Sequence, residues 1–214
     1  MVLIAPSMLS ADFLHLEKDV EMVNRHADIF HLDVMDGSFV PNISFGFPVV
    51  EAIGKRAEKP MDVHLMIVHP EKYIERFAKA GAEMISFHYE TALQQSESII
   101  DLIHSFNCKA GIAINPDCPV ESLFPYICKL DFILVMSVFA GFGGQKFIPE
   151  SLERIAAVRS ELKRIGREIP IEVDGGISPD NAAEVINAGA SILVAGSSVF
   201  KAANPAAAIE AMRL

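Results

Sequence analysis

Histidine and aspartate residues two positions apart recur within apolar segments of this sequence. His31 and Asp33 form one such pair, Asp62 and His64 form a second, and Asp174 ends a third apolar segment. Mixed imidazole and carboxylate ligands suit Zn²⁺, Fe²⁺, Mn²⁺ or Co²⁺, and a set of buried His–Asp hydrogen bonds is the alternative. Two carboxylates on one ion could also move a proton at the two faces of a bound molecule. The pattern therefore favours metal-assisted proton transfer.

These residues lie in three of eight short segments that are typical of β-strands. Because side chains alternate along a strand, His31 and Asp33 share one face while Leu32 and Val34 share the other. The eight segments alternate with amphipathic helical segments over 214 residues, which predicts a parallel sheet. Eight such units favour one domain over residues 1–214, a single (β/α)8 TIM barrel with its site at the carboxyl ends of the strands. The predicted strands are Leu3–Ala5, Asp28–Val34, Met61–Met66, Met84–His88, Ala110–Ile114, Asp131–Met136, Ile171–Asp174 and Ser191–Ala195.

Polar residues, prolines and glycines predict where the helices begin and end. Asp12 is expected to cap the first helix, and Pro70 stands where a first-turn proline belongs, ahead of an apolar helical pattern. Gly81 and Gly189 each follow a helical segment and predict left-handed C-caps. Two further helices are predicted after prolines, over Glu150–Ile165 and Asp180–Ala188.

The composition excludes several classes of function. Hydrophobic residues make up 51% of the chain and charged residues 21%, which is typical of a folded domain with a large core. The net charge of −10, without any Lys/Arg block, argues against nucleic acid or an anionic membrane as a partner. No apolar run approaches the roughly 20 residues of a spanning helix, and no signal peptide is indicated. The unpaired spacing of Cys108, Cys118 and Cys128 indicates a reducing compartment, so we expect a cytoplasmic protein.

Glycine-rich segments follow the sixth, seventh and eighth predicted strands. Glycine lets main-chain N–H groups approach an anion, and a short helix near Ser197 would add its N-terminal dipole. Barrel enzymes commonly hold phosphate between their last loops. A single such segment would predict a turn, but three at adjoining strand ends predict a phosphate site. Its residues are Gly141, Phe142, Gly143, Gly144, Gly175, Gly176, Gly196 and Ser197.

Inward-facing sulfur and imidazole groups could support the site. Met35, Met66 and Met136 fall on the inward faces of their strands. Uncharged, polarizable sulfur could exclude water beside a developing enediolate, and simple filling of the barrel is the alternative. His88 shares the inward face of the fourth strand, where it is either a supporting partner of the site or a core histidine with satisfied hydrogen bonds.

Along nearly its whole length the sequence resembles the ribulose-phosphate 3-epimerase family. The segment His31–Asn42, which reads HLDVMDGSFVPN, carries most of this resemblance. The resemblance implies a metal-dependent (β/α)8 barrel of the ribulose-phosphate-binding type. It also implies interconversion of D-ribulose 5-phosphate and D-xylulose 5-phosphate in the pentose phosphate pathway. Further matching segments are Ala5–Leu9, Asp62–Met66, Leu134–Val138, Gly141–Gln145, Glu172–Gly176 and Gly196–Ser197.

The resemblance also implies roles for individual residues. His31, Asp33, His64 and Asp174 would hold one divalent ion, with Zn²⁺ or Fe²⁺ expected first and Mn²⁺ or Co²⁺ as substitutes. Asp33 and Asp174 would form the acid/base pair that epimerises C3 through an enediolate. Ser7 and His64 would contact the sugar end of a small sugar phosphate, and the glycine-rich loops its phosphate. A homo-oligomer is expected on the same ground.

One departure from the family and three alternatives qualify this interpretation. The family usually has proline before the Gly-Phe-Gly-Gly segment where this chain has Phe139-Ala140, so we expect a looser or differently shaped sixth loop, with altered substrate affinity or loop dynamics. D-allulose-6-phosphate 3-epimerases are the close alternative, although they tend to carry alanine where this chain has Gly143. A related decarboxylase or aldolase would need a lysine that the segment around His64 does not supply. The third alternative is a non-catalytic sugar-phosphate-binding barrel.

Overall fold

The computed structural model describes residues 2–213, in which eight parallel strands form the wall of a barrel. The strands are β1 (Leu3–Pro6), β2 (Phe30–Met35), β3 (Met61–Met66), β4 (Ala82–His88), β5 (Lys109–Ile114), β6 (Phe132–Met136), β7 (Ile171–Asp174) and β8 (Ile192–Ala195). Each strand from β2 to β7 pairs with the next strand in the sequence, and β8 pairs with β1. A parallel bridge between Ser7 and His31 joins the ends of this sheet. The predicted (β/α)8 barrel is therefore confirmed.

Helices connect most of the strands on the outside of the barrel. They are α1 (Leu16–His26), α2 (Phe47–Gly54), α3 (Ile74–Lys79), α4 (Tyr89–Ala92), α5 (Ser96–Ser105), α6 (Ser151–Arg164), α7 (Ala182–Ala188), α8 (Ser197–Phe200) and α9 (Pro205–Glu210). Single 3₁₀ turns cover Met8–Ser10, Pro70–Lys72, Leu93–Gln95 and Val120–Leu123. Within the described chain, the connection from β5 to β6 consists of the last of these turns and further turns, without an α-helix.

The eight predicted strands are all confirmed, with ends that differ by two residues or fewer. The two helices predicted after prolines are also present as α6 and α7, each slightly shorter than expected. Gly81 and Gly189 have φ angles of 103° and 127°, which confirms that these helices end at positions where glycine is favoured.

The predicted cap at Asp12 is wrong, and the predicted first-turn position of Pro70 is confirmed in a 3₁₀ turn that precedes α3. α1 begins at Leu16, and Asp12 instead accepts the N–H of Leu14 at 3.0 Å in the turn that precedes the helix. Pro70 begins a 3₁₀ turn, because Tyr73, with φ of −120°, interrupts the helical path before α3 begins. In both cases an extra turn separates the signal from the helix.

The apolar core consists of one large cluster and three small ones. The large cluster lies between the outward faces of the strands, such as Leu32 and Val34 of β2, and the helices around them. One small cluster fills the amino-terminal end of the barrel, where a Cβ at Gly111 would overlap the ring of Phe132. Toward the carboxyl ends of the strands, buried polar side chains lie beside two small apolar clusters, one around Met136 and one around Met66.

Two further observations concern the chain as a whole. No helix within residues 2–213 is long and apolar enough to cross a lipid bilayer. The three cysteines all fall in this described range and form no disulfide there; Cys108 is buried and Cys128 is exposed.

Candidate active site

Strand register brings the predicted ligand residues together. Asp33 of β2 lies beside His64 of β3, and His31 lies beside Asp62 one layer below. Asp174 ends β7, where it pairs with Met136 of β6. Because all strands are parallel, these residues meet at the same end of the barrel. The two histidine side chains are fully buried, that of Asp33 is 4% exposed, and that of Asp174 is 17% exposed.

Four side-chain atoms converge within this layer. Oδ1 of Asp33 lies 3.3 Å from Nε2 of His31 and 3.3 Å from Nδ1 of His64. Oδ2 of Asp174 lies 4.0 Å from the first of these nitrogens and 3.8 Å from the second. All four atoms lie within 4.8 Å of one another. The sequence predicted these residues as one group, and the structure brings all four together.

The donor set fits a divalent cation. Ligand atoms about 2.0–2.1 Å from a tetrahedral ion lie roughly 3.3 Å from one another, which is close to the separations observed here. Nε2 of His31 is buried and has no hydrogen-bond partner among residues 2–213, so this atom faces the cluster as an unsatisfied polar group. Two imidazoles with two carboxylates suit several first-row metals. The geometry therefore fits a metal without selecting one.

Burial and charge separate the two carboxyl groups. Burial and the negative charge of Asp33 raise the pKa of Asp174 to about 7. Burial alone would raise the pKa of Asp33 too, but the positive charge of His31 beside it holds the pKa of Asp33 well below its usual range. Burial lowers the pKa of His64 to about 4, so this imidazole is neutral near neutral pH. One ionised and one half-protonated carboxyl group on the same site can act as base and acid.

A pocket opens above Asp33 and Asp174, while His31 and His64 lie beneath its lining. Oγ of Ser7 donates a 2.5 Å hydrogen bond to Oδ2 of Asp33 at the edge of this pocket. Met35 does not line the pocket; it packs behind it against Met66 and Val40. The pocket is lined by the predicted residues Ser7, Asp33, Met66, Met136, Gly141, Phe142, Gly143, Gly144, Asp174, Gly175, Gly176, Gly196 and Ser197.

The three glycine-rich loops bring main chain, rather than side chains, to the pocket. Gly175 and Gly176 take positive φ angles of 123° and 66°, which other residues rarely adopt. A Cβ at Gly196 would lie 2.7 Å from Oγ of Ser10. Ser137 anchors the turn after β7 by donating to the carbonyl of Gly175 at 2.6 Å. The wall of the pocket is therefore open to an anion that binds main-chain N–H groups.

The structure also shows what takes the place of the missing loop proline. The N–H of Ala140 donates to Oδ1 of Asn115 at 3.0 Å, a bond that proline could not make. Nε2 of Gln145 donates to the carbonyls of Phe139 and Phe142 at 2.7 and 2.9 Å. Side chains of Asn115 and Gln145 therefore brace the sixth loop where the family usually has proline.

Several pocket residues were missed by the sequence analysis. Leu9 and Ser10 line the pocket from the 3₁₀ turn after β1, and the match of Ala5–Leu9 to the family was the available signal for that turn. Gln145, the last residue of the glycine-rich sixth segment, was also not assigned to the site. Val138, Ile177 and Val194 carry no polar group, so residue type alone offered no signal for them.

Fold and site together define a (β/α)8 barrel enzyme whose pocket suits a metal and an anion. The model of the ribulose-phosphate 3 epimerase family matches residues 3–200. The chain belongs to the ribulose-phosphate 3-epimerase family, as its sequence motifs indicated.

Curated relatives agree with this assignment over nearly their full length. The chain is 48% identical to the ribulose-phosphate 3-epimerase of Synechocystis, covering 99% of this chain and 93% of the relative. It is 45% identical to the Bacillus subtilis ribulose-phosphate 3-epimerase, covering 100% and 99% of the two chains. The cytoplasmic isoform from Oryza sativa is 42% identical, with 98% and 92% covered.

Solved structures of other enzymes share the fold at low sequence identity. KGPDC from Streptococcus mutans superposes with a TM-score of 0.74 at 12% identity, covering 100% of this chain and 96% of that one. The 3-hexulose-6-phosphate synthase of Salmonella typhimurium gives 0.72 at 19% identity, covering 98% and 96%. These likenesses concern the barrel architecture alone.

Proposed function

We propose that the protein interconverts D-ribulose 5-phosphate and D-xylulose 5-phosphate by exchanging the proton at C3. The observation that carries this proposal is the joint position of Asp33 and Asp174 with two imidazoles, at the base of a glycine-lined pocket. Family membership and the names of the curated relatives support the same reaction.

The two aspartates divide the proton transfer between the faces of the sugar. Asp33 removes the C3 proton from one face and Asp174 returns a proton to the other, and the reverse reaction exchanges their roles. The hydroxyl of Ser7 holds Oδ2 of Asp33 and also contacts the sugar. In the metal-free protein the pKa of Asp174 is raised to about 7 while that of Asp33 is lowered, so the two carboxyl groups differ in protonation near neutral pH.

The proposed ligands are Nε2 of His31, Oδ1 of Asp33, Nδ1 of His64 and Oδ2 of Asp174. A divalent ion held there would supply positive charge that stabilises the enediolate. Zn²⁺ or Fe²⁺ is the proposed metal, with Mn²⁺ or Co²⁺ as substitutes.

The far side of the pocket binds the phosphate. Main-chain N–H groups of Gly141–Gly144, Gly175–Gly176 and Gly196–Ser197 act as donors to its oxygens. Met66 and Met136 lie against the reacting end of the sugar and exclude water there. Met35 supports Met66 from behind.

The proposal includes a cytoplasmic homo-oligomer built from single-domain chains. Leu14 and Ile43 are 89% and 74% exposed, and Ile43 lines an apolar groove with Phe45 and Tyr73. Exposed apolar groups of this kind support contact with a second copy. Sedimentation of the purified protein measures the assembly.

Turnover by metal-stripped and metal-loaded protein tests the reaction and the substrate together. D-ribulose 5-phosphate and D-allulose 6-phosphate are offered separately to each preparation. We expect turnover of the pentulose phosphate that chelation abolishes and added divalent metal restores. Turnover of the hexulose phosphate alone, or of neither sugar after loading with each candidate metal, would overturn the proposal.

A further inference from the structure

His64 has polar neighbours of different kinds at its two ring nitrogens. Nδ1 lies 3.3 Å from Oδ1 of Asp33 and 3.8 Å from Oδ2 of Asp174. Nε2 lies 2.9 Å from Nε2 of His88, and both rings are fully buried. A neutral imidazole carries its proton on one nitrogen and a lone pair on the other. The neighbours of the ring therefore decide which nitrogen can bind a cation.

The aspartates alone would select the tautomer that cannot bind. A carboxylate oxygen accepts an N–H and repels a lone pair, so Asp33 favours a proton on Nδ1 of His64. A proton at that nitrogen would block the atom that belongs to the proposed ligand set. Some other group must hold the proton on Nε2.

Glu90 and His88 supply this opposing preference. Oε2 of Glu90 lies 3.2 Å from Nδ1 of His88, and a carboxylate can only accept. The proton of His88 therefore sits on Nδ1, which leaves a lone pair on its Nε2. That lone pair accepts from Nε2–H of His64, so the lone pair of His64 is on Nδ1 and faces the cluster.

Both oxygens of Glu90 are occupied, which makes its orientation definite. Oε1 accepts the main-chain N–H of Asn115 at 2.7 Å, while Oε2 faces His88. The ring of Phe39 packs on His88 with centroids 4.7 Å apart. Although burial would raise the pKa of Glu90, the hydrogen bonds from His88 and Asn115 hold it below its usual value. The carboxylate is thus an ionised, fixed acceptor at the end of the chain of hydrogen bonds.

We propose that His88 and Glu90 are positioning residues that set the tautomer of His64 so that its Nδ1 lone pair faces the metal site. They touch neither substrate nor metal and act through His64. The inference rests on the proposed function, because it assigns a purpose to the lone pair on a proposed ligand.

A single-atom substitution tests the chain of hydrogen bonds. Glu90→Gln replaces one of two acceptors by a donor, so the side chain can no longer serve both Asn115 and His88. When the new amide NH₂ points toward His88, the proton of His88 moves to its Nε2. His88 then donates to Nε2 of His64, and the proton of His64 moves to Nδ1. Glu71→Gln is the matched control, because His69 and Glu71 form an exposed His–Glu contact of 3.4 Å with the same spacing.

The readout is the ring tautomer, measured by two-bond ¹H–¹⁵N correlation on the metal-free protein. We expect Nε2–H on His64 in the wild type and in Glu71→Gln, and Nδ1–H in Glu90→Gln. Zn²⁺ affinity, measured by chelator competition, should fall about 10- to 100-fold in Glu90→Gln. His88→Phe should produce the same two changes.

Two results would overturn the inference. One is a proton on Nδ1 of His64 in the metal-free wild type. This result does not depend on whether any variant folds. The other is a folded Glu90→Gln protein with the wild-type tautomer and Zn²⁺ affinity. Failure of the proposed function has a different signature, namely a wild-type protein that binds no metal and turns over no sugar phosphate. In that case the tautomer of His64 can still be measured on the metal-free protein, so this inference is tested separately.

Discussion

Oε1 of Glu172 lies 3.3 Å from Nδ1 of His31, directly beneath the ligand cluster. The same nitrogen is 2.7 Å from Oδ2 of Asp62, and one N–H cannot satisfy both carboxyl groups. Neither oxygen of Glu172 has a hydrogen-bond partner within the described chain. Burial and the charge of Asp62 raise the pKa of Glu172 well above its usual value. The barrel therefore contains a carboxyl group that resists ionisation.

Glu172→Gln is expected to stabilise the metal-free protein increasingly as pH rises. In the wild type the folded state holds a proton that the unfolded state releases above its ordinary pKa, so stability falls with pH between the two values. Glutamine lacks this proton, and its amide can donate to Asp62. The difference in unfolding free energy should grow by up to about 1.4 kcal/mol per pH unit, measured by urea unfolding at several pH values.

The exposed Glu184→Gln variant is the control for this measurement. A stability difference between Glu172→Gln and wild type that is constant across pH would show that Glu172 ionises freely in the folded state.

Metal affinity should fall as pH is lowered through about 7. Burial and Asp33 raise the pKa of Asp174 to about 7, so below that pH a cation must displace a proton from this ligand. Each displaced proton lowers the affinity by up to about tenfold per pH unit. Calorimetry in buffers of different ionisation enthalpy counts the protons released. Binding at about pH 6 without proton release would contradict the assignment of Asp174 as a ligand.

Ala140→Pro, which introduces the family's usual proline, should destabilise this protein. The substitution removes the N–H that donates to Asn115, at a cost of about 1–3 kcal/mol. The lower entropy of the unfolded chain offsets about 0.4–1 kcal/mol of this. We expect a net loss of about 1 kcal/mol in the free energy of unfolding.

Asn115→Ala supplies the matched background for that test. Without the acceptor, Ala140→Pro should become neutral or stabilising by up to about 1 kcal/mol. Equal effects of the proline in both backgrounds would mean that the hydrogen bond contributes nothing.

Two alanine substitutions probe the wall of the pocket. Gly176 has a φ of 66°, and a Cβ there would overlap the main-chain nitrogen of Phe147, whereas a Cβ at Gly143 would meet no side chain closer than 3.7 Å. Gly176→Ala should therefore raise KM for the sugar phosphate about 10-fold or more, a loss of at least about 1.4 kcal/mol. Gly143→Ala should leave KM within about threefold. Steady-state kinetics that rank the two variants in the opposite order would be inconsistent with this wall.

The sequence predicted the strands, and the inward faces that bring His31, Asp33, His64 and Asp174 together, because both depend on local pattern. Alternation along β2 alone puts His31 and Asp33 on one face. Leu32 and Val34 form the opposite, apolar face that packs under the helices, which identifies the His31 and Asp33 face as inward. Glycine after α3 and α7 marked the helix ends, since positive φ is a property of single positions. These features need no knowledge of the neighbouring strands.

Features that depend on contacts between distant segments could not be predicted in this way. Pairing of β3 with β4 shifts register between Met61 and Asp62, and this shift helps to determine which residues of β4 lie near His64. The partnership of His64 with His88 is therefore absent from any local pattern. Asp12 was predicted to cap the first helix. In the structure Asp12 lies in the turn before α1, and its main-chain N–H donates to Oδ2 of Asp19 in that helix at 2.7 Å.

Proton NMR of D-ribulose 5-phosphate with the protein in D₂O tests the two-aspartate mechanism most directly. The metal-loaded wild type should incorporate deuterium at C3 while D-xylulose 5-phosphate accumulates. Asp33→Asn and Asp174→Asn should each fold and lose epimerisation, with metal content measured in the same samples. Epimerisation without deuterium at C3, or a near-wild-type rate in either variant, would contradict the mechanism.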